Sequence, residues 1–205
     1  MEHASVPSSP VRVAMLISGG GRSALNLHAA FQRHAVDAIT TIVIAHREEV
    51  SGVAHCRAAG MPVIIVPRDT PVLDDSIDRA LEGANAELIC LAGYLRKFRV
   101  GTRWTNRVLN MHPALLPAFG GKGMFGMHVH EAVLAAGRTE TGCTVHLVDE
   151  EYDHGETIAQ TRVPVLKGDT PESLAERVFA AECIAYPEAV ALWIANAKFP
   201  NHARK

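Results

Sequence analysis

Four short apolar runs, each followed by a stretch with helical spacing, limit what this chain can fold into. Residues 11–17, 38–45, 62–66 and 87–92 are rich in Val, Ile, Leu and Ala. Between them, apolar residues recur every three or four positions. Residues 24–34 carry Leu25, Leu27, Ala30 and Phe31, residues 51–59 stop at Gly60, and residues 72–81 begin with acidic side chains. Strands separated by connections of that length pair in parallel through right-handed crossovers, which is the doubly wound α/β class. The fourth run, Leu88-Ile89-Cys90-Leu91-Ala92, has no polar alternation and predicts a strand covered on both faces.

The second half continues the pattern with a change of sense. A short helix over residues 101–106 leads into a fifth strand that ends at His112. A helix spans residues 127–136 and stops at Gly137. Residues 142–148 alternate, with Thr144 and His146 on one face and Cys143, Val145 and Leu147 on the other. Residues 158–165 follow after a short acidic turn, so that pair is antiparallel. A final helix runs from Pro171 to about residue 197 and shows Leu174, Val178, Ala181, Ile184 and Ala185 on one face. The expectation is a mostly parallel seven-stranded sheet with antiparallel C-terminal strands. It forms one domain over residues 11–197, with an N-terminal half 11–109 and a C-terminal half 110–197. Residues 1–10 read as a flexible polar leader and 198–205 as a tail.

The 205 residues are 48% hydrophobic with a formal charge of -2, enough for a sizeable core and without a basic block that would favour nucleic acid. No run reads as a signal peptide or a membrane span, which makes the cytoplasm the expected compartment. Cys56, Cys90, Cys143 and Cys183 stand singly, with no Cys-x-x-Cys pair, and read as free thiols.

The chemistry concentrates in Val108-Leu109-Asn110-Met111-His112-Pro113. Asn110 and His112 lie two residues apart, hence on one strand face, and Pro113 breaks the strand after them. A carboxamide can hold a developing oxyanion and an imidazole can trade protons near neutral pH. The C-terminal end of a strand is where open α/β sheets bind ligands. On these residues alone a capped strand end with a hydrogen-bonded histidine fits equally well. Ser18-Gly19-Gly20-Gly21-Arg22-Ser23 joins the first strand to the first helix. It fits either an anion-binding turn, with Arg22 adding positive charge, or a plain tight turn. Glu182 reads, unaided, as an exposed helix glutamate. Residues 118–126, with four glycines and Lys122, read as a flexible surface loop that covers a site or merely connects. His112, His128 and His130 do not make a metal site, because His128 and His130 diverge at a helix start.

Asn110-Met111-His112-Pro113-Ala114-Leu115-Leu116-Pro117 resembles the Asn-Ile-His-Pro-Ser-Leu-Leu-Pro signature of folate-dependent formyltransferases. Gly142-Cys143-Thr144-Val145-His146 and the acidic residues 149–155 are similar to that family's following strand and loop. The order of these motifs, with Ser18–Gly21, residues 92–98 and 182–187, is most similar to the branch that formylates glycinamide ribonucleotide (phosphoribosylglycinamide) in purine biosynthesis. The resemblance implies transfer from 10-formyltetrahydrofolate to the ribonucleotide amine, with small-molecule substrates, no metal, no nucleic acid, no membrane, and a monomer or homodimer. It implies Asn110, His112 and Asp153 as the catalytic trio, supported by Thr144 and His146. It implies Gly20, Gly21, Arg22, Ser23 and Ala24 at the substrate phosphate and Glu182 at the ribose. It implies Leu95, Arg96, Lys97, Phe98, Val148 and Glu150, with Asn110 and Asp153, around the folate.

The chain also departs from the family. The glycine turn has one extra residue, and Ala24 stands where asparagine is usual. Asp74 and Asp75 lie where a phosphate-binding base is common, so Arg22 or Arg68 must supply that charge. The loop over 118–127 is long and rich in glycine. Formyltetrahydrofolate hydrolysis and formylation of a sugar nucleotide are the alternatives within the family, and a non-catalytic nucleotide-binding module is the alternative outside it.

Overall fold

In the computed structural model, residues 9–196 are described; the expected tail and most of the expected leader lie outside them. The elements in chain order are β1 (Val11–Leu16), α1 (Arg22–Gln32), β2 (Ala38–Ala45), α2 (Ser51–Ala58), β3 (Val63–Ile65), α3 (Leu73–Gly83), β4 (Leu88–Leu91), β5 (Val108–His112), α4 (Met127–Ala135), β6 (Glu140–Leu147), β7 (Thr157–Pro164) and α5 (Pro171–Ala195). They build a seven-stranded sheet in the order β3-β2-β1-β4-β5-β6-β7. The pairings up to β4–β5 are parallel, and β5–β6 and β6–β7 are antiparallel.

Strand alternation divides the core. Val13, Met15 and Ile17 join residues of α1, α2 and α5 on one face of the sheet. Ala14 and Leu16 join α3, Phe98 and Trp104 on the other. Because β1 is covered on both faces, none of its residues from Val13 to Leu16 is exposed to solvent. The last helix starts on a reciprocal cap. Thr170 Oγ1 accepts from Ser173 N at 3.2 Å, Ser173 Oγ accepts from Thr170 N at 3.0 Å, and Pro171 occupies the first turn.

Three expectations are corrected. Residues 101–106 form turns instead of a helix. Gly101 (φ 53°) and Asn106 (φ 60°) are left-handed, which a right-handed helix cannot accommodate. The buried face of α5 runs through Leu174, Val178, Glu182, Ala185 and Ala189, and Ile184 is 63% exposed. Steps of three and four residues from Val178 pass through Glu182, not Ile184. By length and composition α5 is also apolar enough to cross a membrane, contrary to the sequence reading. Here it packs against β5, β6, β7, α1 and α4, and Tyr186 and Trp193 are buried.

Gly142 lets β6 and β7 approach closely. A Cβ there would run into the Thr161 carbonyl and come within 2.6 Å of Leu115 Cδ2. Gly142→Ala is expected to cost about 1–3 kcal/mol in urea denaturation. Gly83 is helical with nothing near its would-be Cβ, so Gly83→Ala should instead stabilise by about 0.5–1 kcal/mol.

Candidate active site

The strand order reverses between β1 and β4, and a cleft of about 340 Å³ opens beside it, lined by residues just beyond the ends of β4 and β5. The segment after β4 is tied to the end of β1. Ser18 N donates to the Gly93 carbonyl at 3.2 Å, and Leu95 N donates to Ser18 Oγ at 3.0 Å. This presents Leu95, Arg96, Lys97 and Phe98 along one wall, with Val148 among the residues of the acidic turn that also line the cleft. Glu150 lines a smaller adjoining cavity instead, and Glu151 and Tyr152 take its place at the cleft.

Antiparallel pairing assembles the reactive cluster. Asn110 lies opposite His146 and His112 opposite Thr144, so two pairs spaced by two residues share one face. Asp153, in a left-handed conformation (φ 53°), closes the cluster from the turn between β6 and β7. Its Oδ2 lies 3.4 Å from His112 Nδ1, and its Oδ1 accepts from Asn110 Nδ2 at 3.4 Å. Asn110 Nδ2 is also 3.1 Å from His146 Nε2, and His146 Nδ1 is 2.7 Å from the Leu147 carbonyl. A carbonyl can only accept, so His146 carries a proton on Nδ1. By the same argument His112 Nε2, 2.7 Å from the Phe119 carbonyl, carries a proton.

Burial lowers the pKa of His112, against the opposing pull of Asp153 and of the Phe119 carbonyl. Burial acts to raise Asp153, but the imidazoles of His146 and His112 and the Gly121 N–H outweigh it and leave the carboxyl below its usual value. Asp153 is therefore ionised at neutral pH.

The glycine-rich loop does more than cover the cleft. Phe119 supplies the carbonyl that holds His112, and Gly121 N donates to Asp153 Oδ2 at 2.9 Å. Thr144 fixes the loop's approach. Its hydroxyl donates to the Ala114 carbonyl at 2.6 Å and accepts from Leu116 N at 3.1 Å and from Gln160 Nε2 at 3.0 Å. The Leu116–Pro117 bond that follows is cis.

The glycine turn is linked to the cleft through a different contact. Ser23 Oγ donates to Glu182, which also lines the cleft. Glu182 is only 4% exposed, which corrects its reading as a surface residue, and burial pushes its carboxyl up to about 7 against the pull of Ser23 and Arg22. Gly21 (φ 72°) precedes α1, whose first turn has no side-chain cap. Gly20 is approached by α2, where Gly52 is required because a Cβ would collide with the Gly19 carbonyl. Ala24 is wholly buried, so it can offer a ligand its backbone N–H alone. Arg22 makes a two-pronged pair with Glu176 at 2.6 and 2.7 Å, and its guanidinium carbon lies 3.7 Å from the Phe179 ring centroid. Arg68 meets Asp69 at 4.0 Å and does not line the cleft.

The sequence reading missed Phe179 and His130 as cleft residues. Glu176, Phe179 and Glu182 recur at three-residue steps on α5, a signal that could have grouped them. His130 is 5% exposed, with Nδ1 lacking a hydrogen-bond partner. Among the described residues no group of His, Cys, Asp and Glu is arranged to hold a metal ion.

Comparisons with known proteins show the family. The family described as formyl transferase matches residues 11–190. The chain is 37% identical over 186 residues to the chloroplastic phosphoribosylglycinamide formyltransferase of Arabidopsis thaliana, covering 87% of this chain and 64% of that protein. It thus spans slightly under two thirds of that relative's length. Glycinamide ribonucleotide transformylase 1 from Symbiobacterium toebii superposes with a TM-score of 0.87 at 33% identity, over 95% of this chain and 92% of that one. Phosphoribosylglycinamide formyltransferase from Brucella melitensis gives 0.83 at 40% identity, over 91% and 96%. With the family's match running from the first strand into the last helix, this chain belongs to the formyl transferase family.

Proposed function

We propose that this chain transfers the formyl group of 10-formyltetrahydrofolate to the amine of glycinamide ribonucleotide, giving the formylated ribonucleotide and tetrahydrofolate in purine biosynthesis. The observation that carries this reading is the meeting of Asn110, His112 and Asp153 inside one mostly apolar cleft of about 340 Å³.

The folate ring lies between the Leu95–Phe98 segment and the Val148–Asp153 turn. The ribonucleotide enters from the glycine turn, with its phosphate on the first-turn N–H groups of α1 and beside Arg22. Its ribose hydroxyls donate to Glu182. The amine nitrogen then attacks the formyl carbon, and the carbonyl electron pair moves onto oxygen. An Asn110 N–H holds that oxygen, giving up its long 3.4 Å contact with Asp153. His112, which burial keeps neutral in the free protein, takes up a proton from solvent as negative charge develops on that oxygen and releases it on collapse, and Asp153 offsets the cost of the buried positive charge. Ionised Asp153 takes the proton shed by the attacking nitrogen and returns it to the departing folate nitrogen as the old carbon–nitrogen bond breaks. No covalent enzyme intermediate is needed.

With both substrates supplied, Asn110→Ala or His112→Ala is expected to lower kcat about 10²–10³-fold. Asp153→Asn should lower it about 10²–10⁴-fold. Release of formate without any amine, at the rate seen with the ribonucleotide, would overturn the transferase reading in favour of hydrolysis.

Glu182 gives two further expectations. Its carboxylate is the better acceptor for ribose hydroxyls, so KM for the ribonucleotide should rise as pH falls through about 7, with KM for the formyl donor flat. Glu182→Gln should remove that dependence. In the free protein the raised pKa means that the folded state holds a proton the unfolded chain has released. Stability therefore falls as pH rises from about 4.5 to about 7. Glu182→Gln should accordingly stabilise the free protein by up to about 3 kcal/mol at pH 8, read from denaturant titrations, and by much less near pH 4.

A further inference from the structure

We infer that Glu176 is a built-in competitor for the substrate phosphate, occupying the edge of Arg22 that the phosphate must take and setting how tightly the ribonucleotide binds. This rests on the proposed phosphate site at the Gly20–Ala24 turn and assigns a role there to a residue of α5.

Two contacts of different kinds hold the Arg22 guanidinium. Its face lies on the Phe179 ring at 3.7 Å, and its edge is filled by the two oxygens of Glu176 at 2.6 and 2.7 Å. Stacking leaves the edge of a guanidinium free for an oxyanion, whereas a two-pronged carboxylate uses it up. The two side chains are 53% and 64% exposed, so water screens the pair and it can open at small cost. When it opens, Phe179 keeps the guanidinium at the side of the cleft. Arg22 is the first residue of α1, next to the uncapped N–H groups of the first turn. An incoming phosphate therefore meets both the guanidinium and the helix terminus, and its second negative charge lets it outbid a single carboxylate. Glu182 cannot play the same part, because it is buried beneath the turn and bonded to Ser23. In the free enzyme Glu176 keeps Arg22 stacked and oriented and makes weakly held anions compete for the site.

The test is Glu176→Gln in the full chain, alone and combined with Arg22→Ala. The single variant should lower KM for the ribonucleotide about five-fold, the factor expected from losing an exposed but well-aligned ion pair. Inhibition by inorganic phosphate should tighten in parallel, with kcat and KM for the formyl donor unchanged. In the Arg22→Ala background the same change should do nothing. An unchanged or raised KM in Glu176→Gln would overturn the inference, and a fall in melting temperature alongside would mark the pair as a mere staple between α1 and α5. An equal fall in KM with and without Arg22 would also overturn it, because the effect would then be general charge removal. If Arg22→Ala raises KM but Glu176→Gln is silent, the competitor is wrong and the phosphate site stands. If Arg22→Ala itself leaves KM unchanged, the phosphate site is wrong and the competitor falls with it.

Discussion

The antiparallel pairing of β5 with β6 is the constraint on which the reactive site depends. Its register sets Asn110 against His146 and His112 against Thr144. A slip of one residue would turn Asn110 and His112 to the opposite face from His146 and Thr144. The register is fixed by packing on the other face, where Leu109, Val145 and Leu147 sit in the main core with Tyr186 and Val190 of α5. The hydrophobic core thus fixes the chemistry without touching it, because each strand carries core residues and reactive residues in strict alternation.

Burial and hydrogen bonding are balanced differently at the two ends of the cleft. Asp153 is partly buried yet remains ionised, because Asn110, Gly121 and two imidazoles surround it. Glu182 is more deeply buried with a single hydroxyl donor, and its carboxyl rises to about 7. The first arrangement keeps the carboxylate charged beside His112, where it can orient that imidazole and offset a positive charge on it. The second suits a group whose bonds are completed by the ligand, since ribose hydroxyls would supply the donors that the free protein lacks. Two carboxylates on one cleft are thus given separate tasks by their surroundings, with no difference in their own chemistry that matters.

Much of this was legible in the chain itself. Apolar runs and helical spacing located every strand and helix to within about two residues, because a doubly wound sheet repeats one simple pattern. The two-residue spacings of Asn110 with His112 and of Thr144 with His146 placed each pair on one face. Other features were not legible, for physical reasons. The turns over 101–106 depend on left-handed residues that leave no periodic trace. Glu182, read unaided, was misplaced because a charged residue among alanines resembles a surface position, although four-residue steps from Leu174 and Val178 put it on the buried face. The loop carbonyl and N–H that hold His112 and Asp153 belong to the backbone, and backbone groups have no side-chain identity to read.

The departures at the glycine turn make sense together once α5 is in place. The formyltransferase resemblance leads to the expectation of an asparagine at position 24, and Ala24 instead sends its side chain into the core. Arg22 stands at the first position of α1, where its guanidinium reaches Phe179 of α5. A long cation on a flexible stem would be a poor replacement for a short fixed amide, because its rotamer freedom must be lost on binding. Stacking on Phe179 removes part of that freedom before the ligand arrives, while Glu176 fills the guanidinium edge until the ligand displaces it. At the proposed phosphate site Arg22, Phe179 and Glu176 then act as one unit, in which stacking holds the cation and the carboxylate keeps its edge filled until an anion of higher charge displaces it.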